Sequence, residues 1–356
     1  MRKIFWVIVF FAFCTSCANQ QSQFFIFKRF SPETLRVEYY KTDLYAPSQI
    51  EKINIAPCLL ENDRVEPSWS PNGKYYGCSS RDGQSLLIYD INNNKVLTKL
   101  YETSSEAISG WSPDSQIVGV MNSSWADSPN YDFSVMKYDG TQFHQIYSSS
   151  LPLKFENWSP NGKYVSLEVL PDEIKGSGFI VIVDHLGKEI ARFNLLKITN
   201  AVVTSADDIK WSPDSKNLVF TTIYNRESYS NKLYILDIKS GETKNILHDQ
   251  SLCIISISDW SPDGKKILFN AIDCKSHIPI DAFDKVYYSI NADGSGLKQL
   301  TEKGGGSLTW TLDGNSVVVS GYGNDNSDKR LYVMDADGRN KRKLLDNGYF
   351  VAWIKP

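Results

Sequence analysis

Histidine is scarce in this sequence, which contains only four: His144, His185, His248 and His277. No two of them have the spacing of metal ligands, and no H-E-x-x-H segment occurs. The G-x-S-x-G nucleophile elbow and the glycine patterns of Walker and Rossmann phosphate loops are also missing. These absences disfavour zinc enzymes, serine hydrolases of the α/β type and nucleotide-binding enzymes. The sequence therefore predicts no catalytic residue, no metal and no cofactor.

An excess of basic charge is missing as well. The chain has 38 Lys and Arg residues against 41 Asp and Glu, for a net charge of −3. A nucleic-acid-binding protein typically shows a basic stripe and a high isoelectric point. We therefore predict no nucleic-acid partner.

Long apolar runs are limited to one, which extends from Ile4 to Phe13 and directly follows Arg2 and Lys3. A charged start followed by a short apolar run is typical of a secretory signal. The run is shorter than the roughly 20 residues that a transmembrane helix needs. The chain is therefore expected to be exported.

The apolar run ends in Cys14-Thr15-Ser16-Cys17, which resembles a bacterial lipobox, although Cys14 stands where an aliphatic residue is usual. The resemblance implies that residues 1–16 are a lipoprotein signal peptide, that Cys17 is lipidated, and that residues 17–23 are a tether. An ordinary cleaved signal and an uncleaved anchor remain the alternatives. Ala18 follows the cysteine instead of the Asp that typically retains lipoproteins in the inner membrane, so the outer membrane is favoured.

A five-residue motif, W-S-P-[DN]-[GS], recurs along the rest of the chain. Five full copies begin at Trp69, Trp111, Trp158, Trp211 and Trp260; a degenerate sixth begins at Trp310, and Trp353 follows in phase. In each copy Pro presets the turn, and Asp or Asn with Gly or Ser completes it. Apolar strand segments follow, and a second turn such as Asp335-Ala336-Asp337-Gly338 precedes the next Trp. Four short strands per repeat of 40–50 residues form the blade of a β-propeller.

The motif and the order of strands resemble the TolB-type propeller, a WD-like family common in bacterial envelopes. The resemblance covers residues 24–356, which we expect to form a single all-β domain. It implies protein binding as the commonest use of the fold, although fold analogy alone is weak evidence of function.

The count of repeats leaves a lone strand at the C-terminus, whose unpaired edge would be a hazard. The N-terminal segments 24–27, 35–40 and 50–55 look like the three strands needed to complete its blade. We therefore predict seven four-stranded antiparallel blades closed by a 3+1 clasp of the two termini, with six blades as the alternative. The repeat tryptophans are expected to pack between blades.

Four cysteines remain after Cys17, and an oxidising compartment allows disulfides. Cys253 and Cys274 are symmetric about the Asp263-Gly264 turn, so we expect them to lie opposite each other and to form a disulfide. The same symmetry does not hold for Cys58 and Cys78, for which both a disulfide and free thiols remain open.

The connections of a propeller alternate between two faces, and those with short W-S-P and D-G turns share one. The longer loops on the other face are where binding is usual. They carry the predicted binding residues Trp125, Asp127, Tyr131, Tyr229, Phe283 and Tyr322, with Phe133 beside them as a further exposed aromatic. Packing of these loops on themselves is the alternative.

Two smaller features carry less weight. Asp335-x-Asp337-Gly338 begins like a calcium loop but lacks the later ligands, so we interpret it as a hairpin turn and Ca²⁺ binding as unsupported. Lys210 and Asp259 directly precede two repeat tryptophans, and an ion pair near the channel or a structural role is open for them.

Two functions fit this sequence. The first is a non-enzymatic, monomeric envelope lipoprotein, membrane-anchored through its lipid, whose propeller binds another envelope protein through the loop-rich face. The second is a propeller that binds or cleaves polysaccharide at the mouth of its channel.

Overall fold

The computed structural model describes residues 21–31, 33, 36–55, 67–79, 85–101, 105–124, 130–171, 177–200, 205–223, 232–274, 285–302, 306–321 and 330–355. The signal peptide, Cys17 and most of the tether lie outside these ranges. The strands in the described ranges pair into seven antiparallel sheets of four strands, which are the blades of a propeller. The predicted seven-bladed all-β fold is therefore confirmed, and the six-bladed alternative is wrong.

Blades 1 to 6 follow one another along the chain, each built from four consecutive strands with the first strand innermost. Blade 1 comprises β4 (Ser68–Trp69), β5 (Tyr75–Ser79), β6 (Ser85–Asp90) and β7 (Lys95–Tyr101). Blade 2 comprises β8 (Ser105–Trp111), β9 (Ile117–Ser124), β10 (Asn130–Lys137) and β11 (His144–Ser149). Blade 3 comprises β12 (Leu153–Trp158), β13 (Tyr164–Val169), β14 (Phe179–Asp184) and β15 (Glu189–Asn194). One short helix, α1 (Leu195–Thr199), follows blade 3, and the Asn194 side chain caps it by accepting the Lys197 N–H.

Blades 4 to 6 repeat this plan. Blade 4 comprises β16 (Ser205–Trp211), β17 (Asn217–Ile223), β18 (Tyr234–Asp237) and β19 (Thr243–Asn245). Blade 5 comprises β20 (Leu252–Trp260), β21 (Lys266–Asp273), β22 (Val286–Asn291) and β23 (Lys298–Gln299). Blade 6 comprises β24 (Gly306–Trp310), β25 (Ser316–Gly321), β26 (Arg330–Asp335) and β27 (Arg342–Leu345).

Blade 7 is made from both ends of the chain, in the order β28-β1-β2-β3. Its strands are β28 (Tyr349–Trp353), β1 (Phe24–Ser31), β2 (Arg36–Asp43) and β3 (Ala46–Ile53). Phe25 pairs with Trp353 and Phe27 with Phe350, on either side of a β-bulge. The predicted 3+1 clasp is confirmed, although β3 begins four residues before the segment 50–55 that the sequence indicated.

The serine of the W-S-P motif explains why the turn recurs. In blade 2 the Ser112 hydroxyl donates to Asp114 and accepts the backbone N–H of Ile117 at 2.9 Å. Thr311 keeps both bonds in the degenerate sixth copy. Each turn therefore satisfies its own polar groups, and the hydroxyl is the element that the motif must retain.

The turns between third and fourth strands lie beside the W-S-P turns of the same blades. The backbone N–H of Ile91 donates to the carbonyl of Lys74 at 3.0 Å, and Tyr138 donates to Gln116 in the same way. Glycine is required where such a turn touches the blade before it: at Gly294, with φ +93°, a Cβ would stand 2.9 Å from the carbonyl oxygen of Ile246. We call the side of the ring with both kinds of turn the W-S-P face, and the opposite side the loop-rich face.

The repeat tryptophans contribute to the hydrophobic cores that join neighbouring blades. Those of blades 2 to 6 are 4–7% exposed, whereas Trp69 and Trp353 are half-buried. The indole N–H of Trp111 donates to the carbonyl of Ser68 in blade 1 at 3.0 Å, and Trp260 donates likewise to Lys210 in blade 4. Loss of one buried indole costs roughly 3–5 kcal/mol in comparable cores.

A disulfide joins Cys253 to Cys274, with 4.9 Å between their Cα atoms. The expectation that they stand directly opposite each other is wrong, because Cys253 pairs with Ile272. Two β-bulges in β20 shift the register away from the symmetry of the turn. Cys78 is also disulfide-bonded, and Cys58, its suggested partner, lies outside the described residues.

Candidate functional site

The loop-rich face is set out by the strands that end there. In blades 2 to 6 the second strand ends at this face and the third strand begins there. The five connections between them contain the ranges 125–129, 172–176, 224–231, 275–284 and 322–329, in that order. Trp125, Asp127, Tyr229, Phe283 and Tyr322 fall in these ranges, outside the described residues. Their placement on the loop-rich face therefore stays a prediction.

Tyr131 is the one predicted binding residue that the structure describes. It lies in β10, pairs with Ser149 and Ser123, and packs half-buried against the core between blades 2 and 3. Phe133, expected to be exposed on a loop, is instead completely buried, and its ring stacks on Phe155 at 5.2 Å. The prediction for Phe133 is wrong because β10 already begins at Asn130, so Phe133 lies within the strand.

A second candidate region lies at the mouth of the channel on the W-S-P face. A cavity of about 790 Å³ opens there. Much of its wall consists of the rings of Tyr45, Trp211, Pro213, Trp260, Pro262, Trp310 and Trp353. The charged groups in the wall include Asp259, Asp313 and Lys355. Apolar walls with a few placed polar groups are typical of binding cavities.

Asp259 is a charged group in the wall of this cavity. Solvent reaches its side chain through the cavity, but the channel wall surrounds the carboxylate and this desolvation raises its pKa. One carboxylate oxygen accepts the backbone N–H of Trp260 at 2.8 Å. The charges of Lys210 and Lys355 oppose the shift. Lys210 and Asp259, both within the described ranges, do not form the suggested direct ion pair. The lysine affects the carboxylate only through its charge at longer range.

The segment before β1 forms part of the same cavity. Gln21, Ser22 and Gln23 line it, and Gln23 is 6% exposed. The Gln23 side chain accepts the backbone N–H of Leu312 at 2.7 Å and donates to the Tyr45 hydroxyl at 3.2 Å. Sequence reasoning misses this role of Gln23, because a glutamine in a polar segment has no pattern that marks its partner in a distant turn.

Metal ligands are not gathered anywhere in the described part of the chain: no group of three or more His, Cys, Asp or Glu side chains is placed to hold an ion there. The Asp335–Gly338 segment forms the turn between β26 and β27, with the N–H of Gly338 donating to the carbonyl of Asp335. A hydrogen bond from the Arg339 guanidinium holds the pKa of Asp337 at about 2. That carboxylate is thus engaged within its own turn.

No helix within the described ranges has the length and apolar character required to cross a bilayer. This observation leaves the predicted lipid anchor as an expectation, since Cys17 lies outside those ranges.

Comparisons with known proteins give structural neighbours only. No family model matches the sequence, and no curated protein sequence matches it. Oligogalacturonate lyase from Vibrio parahaemolyticus aligns with a TM-score of 0.60 and 12% identity, over 84% of this chain and 83% of that one. Acylaminoacyl peptidase from Pyrococcus horikoshii gives a TM-score of 0.59 and 13% identity, over 91% of this chain and 50% of that one.

TolB from Acinetobacter baumannii is also a neighbour, with 18% identity, a TM-score of 0.48, and coverage of 89% of this chain and 79% of that one. Identities this low extend the likeness to the fold and no further. The neighbours include enzymes, so the fold alone does not distinguish a binding protein from a catalyst. The chain is a seven-bladed β-propeller, the fold that its W-S-P repeat predicts.

Proposed function

We propose that this chain is a non-enzymatic envelope lipoprotein, anchored through Cys17, whose propeller binds another envelope protein through the loop-rich face. The observation that carries the proposal is the difference between the two faces. On the W-S-P face the turn hydroxyls and carboxylates are used within the turns, as Ser112 and Asp114 show. On the other face, five adjacent blades present the longer connections, and binding residues concentrate on such loops when a rigid scaffold holds them.

Two further features support an extracytoplasmic binding protein. The disulfide of Cys253 and Cys274 is typical of oxidising compartments. The loops carry Trp125 and Tyr229, and tryptophan and tyrosine belong to the residue types that anchor protein interfaces.

Site-specific photo-crosslinking in the native membrane tests the proposal. Asn130 and Arg330 are exposed and begin the third strands of blades 2 and 6, next to the loops. A photoreactive residue at either position should yield the same discrete adduct with an envelope protein. Lys163, exposed in a W-S-P turn, is the matched control and should not yield it. An adduct from Lys163 alone, or none from either loop position, would contradict the assignment of the face.

The polysaccharide alternative is tested separately by thermal shift. One neighbour is an oligogalacturonate lyase, so oligogalacturonates with and without Ca²⁺ are the first ligands to try. We expect no change in melting temperature. A dose-dependent rise, or appearance of unsaturated sugar products, would favour the alternative over a protein-binding scaffold.

A further inference from the structure

We infer that the W-S-P face is turned toward the membrane and that the loop-rich face points away from it. The inference rests on the proposed anchor at Cys17. The channel mouth would then face the headgroup surface of the bilayer that holds this chain's own lipid. This orientation also explains how the proposed binding face stays available to a partner.

The first step is that the chain leaves the propeller at a fixed point. The backbone carbonyl of Gln23 accepts the N–H of Leu44 at 2.9 Å, and its backbone N–H donates to Asp43 at 3.3 Å. Together with the side-chain bond to Leu312, these contacts hold Gln23 to blades 6 and 7 at once. Gln21 and Ser22 continue from it along the cavity at the channel mouth. The tether therefore departs from the W-S-P face, beside the channel.

The second step concerns reach. Cys17 precedes Gln23 by six residues, and six fully extended residues span at most about 20 Å. The channel mouth must then lie within about that distance of the lipidated residue.

The third step excludes the opposite orientation. The tether leaves beside β1, the second strand of blade 7, so at about 4.8 Å per strand the outer edge of the blade lies about 10 Å away, and strands of six to eight residues are about 20–26 Å long. To bring the loop-rich face to the bilayer, the tether would have to run across the blade and then along its side. That path is about 30–36 Å long on the same dimensions, beyond the reach of the tether.

Exposed apolar side chains stand on the rim of the same face. Leu186 is 74% exposed and Phe143 is 48% exposed, in the outer turns of blades 3 and 2. A contact of 3.2 Å between the His144 ring and the His185 carbonyl joins these two turns. Leu297 is exposed in the corresponding turn of blade 5, and Val96 is exposed at the start of β7, next to the corresponding turn of blade 1. Apolar side chains at the edge of a membrane-facing surface would contact the boundary of headgroups and acyl chains.

Charge does not account for the orientation. Lys74, Lys163, Lys216 and Lys265 are exposed in the W-S-P turns, but two of the four, Lys216 and Lys265, lie within 3.6 Å of Asp214 and Asp263. Because the tether sets the orientation, raised salt should leave it unchanged, whereas a surface held by lysines would be released.

Fluorescence quenching on vesicles tests the inference with the full lipidated chain. Leu186→Cys and Asn130→Cys each carry one fluorophore, on the W-S-P face and the loop-rich face respectively, and the vesicles contain lipid spin-labelled at the headgroup. We expect at least twofold stronger quenching at position 186, unchanged between low and high salt. Insertion of 20 Gly and Ser residues after Ala18 adds about 25 Å of flexible reach and should remove most of the difference.

Equal quenching at the two positions, or stronger quenching at position 130, would overturn the orientation. Failure of the anchor itself is detected independently, because an unlipidated chain does not float with vesicles. A chain in which six histidines replace residues 1–17, captured on vesicles of nickel-chelating lipid, keeps the exit at Gln23 and measures the same two positions. If this chain showed the stronger quenching at position 186 while the native chain did not float with vesicles, the lipid anchor would be refuted and the orientation set by the exit at Gln23 would stand.

Discussion

The side-chain oxygen of Gln23 accepts a hydrogen bond from the backbone N–H of Leu312 at 2.7 Å, across 289 residues of sequence. Leu312 occupies the proline position of the degenerate sixth turn, and unlike proline it has an N–H to donate. The departure from the motif thus supplies the donor that the N-terminal segment uses. The first described residues of the chain are thereby fixed to blade 6 as well as to blade 7.

Substitution of Gln23 tests that link. Gln23→Ala leaves the N–H of Leu312 without its partner at a partly buried position, so we expect a loss of roughly 1 kcal/mol in the free energy of unfolding. Chemical denaturation measures the difference. Ser22→Ala, at the adjacent exposed position, should change stability by less than about 0.5 kcal/mol. Equal effects of the two variants would show that the hydrogen bond adds nothing to closure.

Removal of the C-terminal strand tests the clasp. Deleting residues 349–356 takes away β28 and uncovers Phe25 and Phe27, which are completely buried in the intact blade. We expect the truncated chain to lose cooperative unfolding, as followed by circular dichroism and calorimetry. Deleting residues 355–356 leaves β28 intact and should preserve a single transition. If the longer deletion melted like the full chain, the clasp would not hold the ring.

The serine that ends two of the turns adopts a left-handed conformation and bonds to the blade before it. Ser215, with φ +60°, accepts the backbone N–H of Asn161 at 3.1 Å. Ser215→Ala loses this bond but keeps the left-handed backbone, so it should cost roughly 1–2 kcal/mol. Ser215→Gly relieves the backbone while losing the same bond, and should cost less. Gly264→Ala measures the cost of a left-handed backbone alone, since the added Cβ would meet Pro213 only at 3.7 Å. If Ser215→Gly were less stable than Ser215→Ala, this ranking would be contradicted.

The disulfide of blade 5 closes a sequence separation of 21 residues. The double variant Cys253→Ala/Cys274→Ala should lose roughly 3 kcal/mol, because the unfolded chain gains the entropy that the crosslink removes. Hydrogen exchange should rise most at the ends of β20 and β21 that adjoin the crosslink. Peptide mapping under non-reducing conditions identifies the pair, and recovery of Cys253 as a free thiol would contradict it.

The repeat made the fold predictable, and the limits of that prediction have physical causes. The W-S-P turns are local and self-bonded, so blade number and the pairing of the termini follow from their spacing. Two β-bulges shift the register of β20, and no residue pattern marks them, so the symmetry of the turn does not place Cys253 correctly. The burial of Phe133 depends on Phe155 of the next blade, and the partner of Gln23 exists only in the closed ring.

Asp259 gives a pH dependence opposite to the usual behaviour of a paired carboxylate. Its pKa in the folded protein is raised above the ordinary 3.8, so the native state binds more protons than the unfolded chain, and stability falls as the pH rises from 3.8 toward the folded value. Asp259→Asn should keep the bond to the Trp260 N–H, remove this penalty and stabilise the protein at neutral pH. The gain should vanish below pH 3.8.

Asp214→Asn is the matched control, because a hydrogen bond from the Ser212 hydroxyl lowers the pKa of Asp214, and asparagine occupies the same turn position in blades 1 and 3. This variant should lose stability at neutral pH and lose progressively less as the pH falls. Lys210 and Lys355, whose charges face Asp259, will repel each other more strongly in Asp259→Asn, which limits the gain without changing its sign. Melting temperatures from pH 3 to 8 measure both variants, and a neutral-pH loss in Asp259→Asn would mean that the two lysines stabilise the carboxylate more than its enclosure by the channel destabilises it.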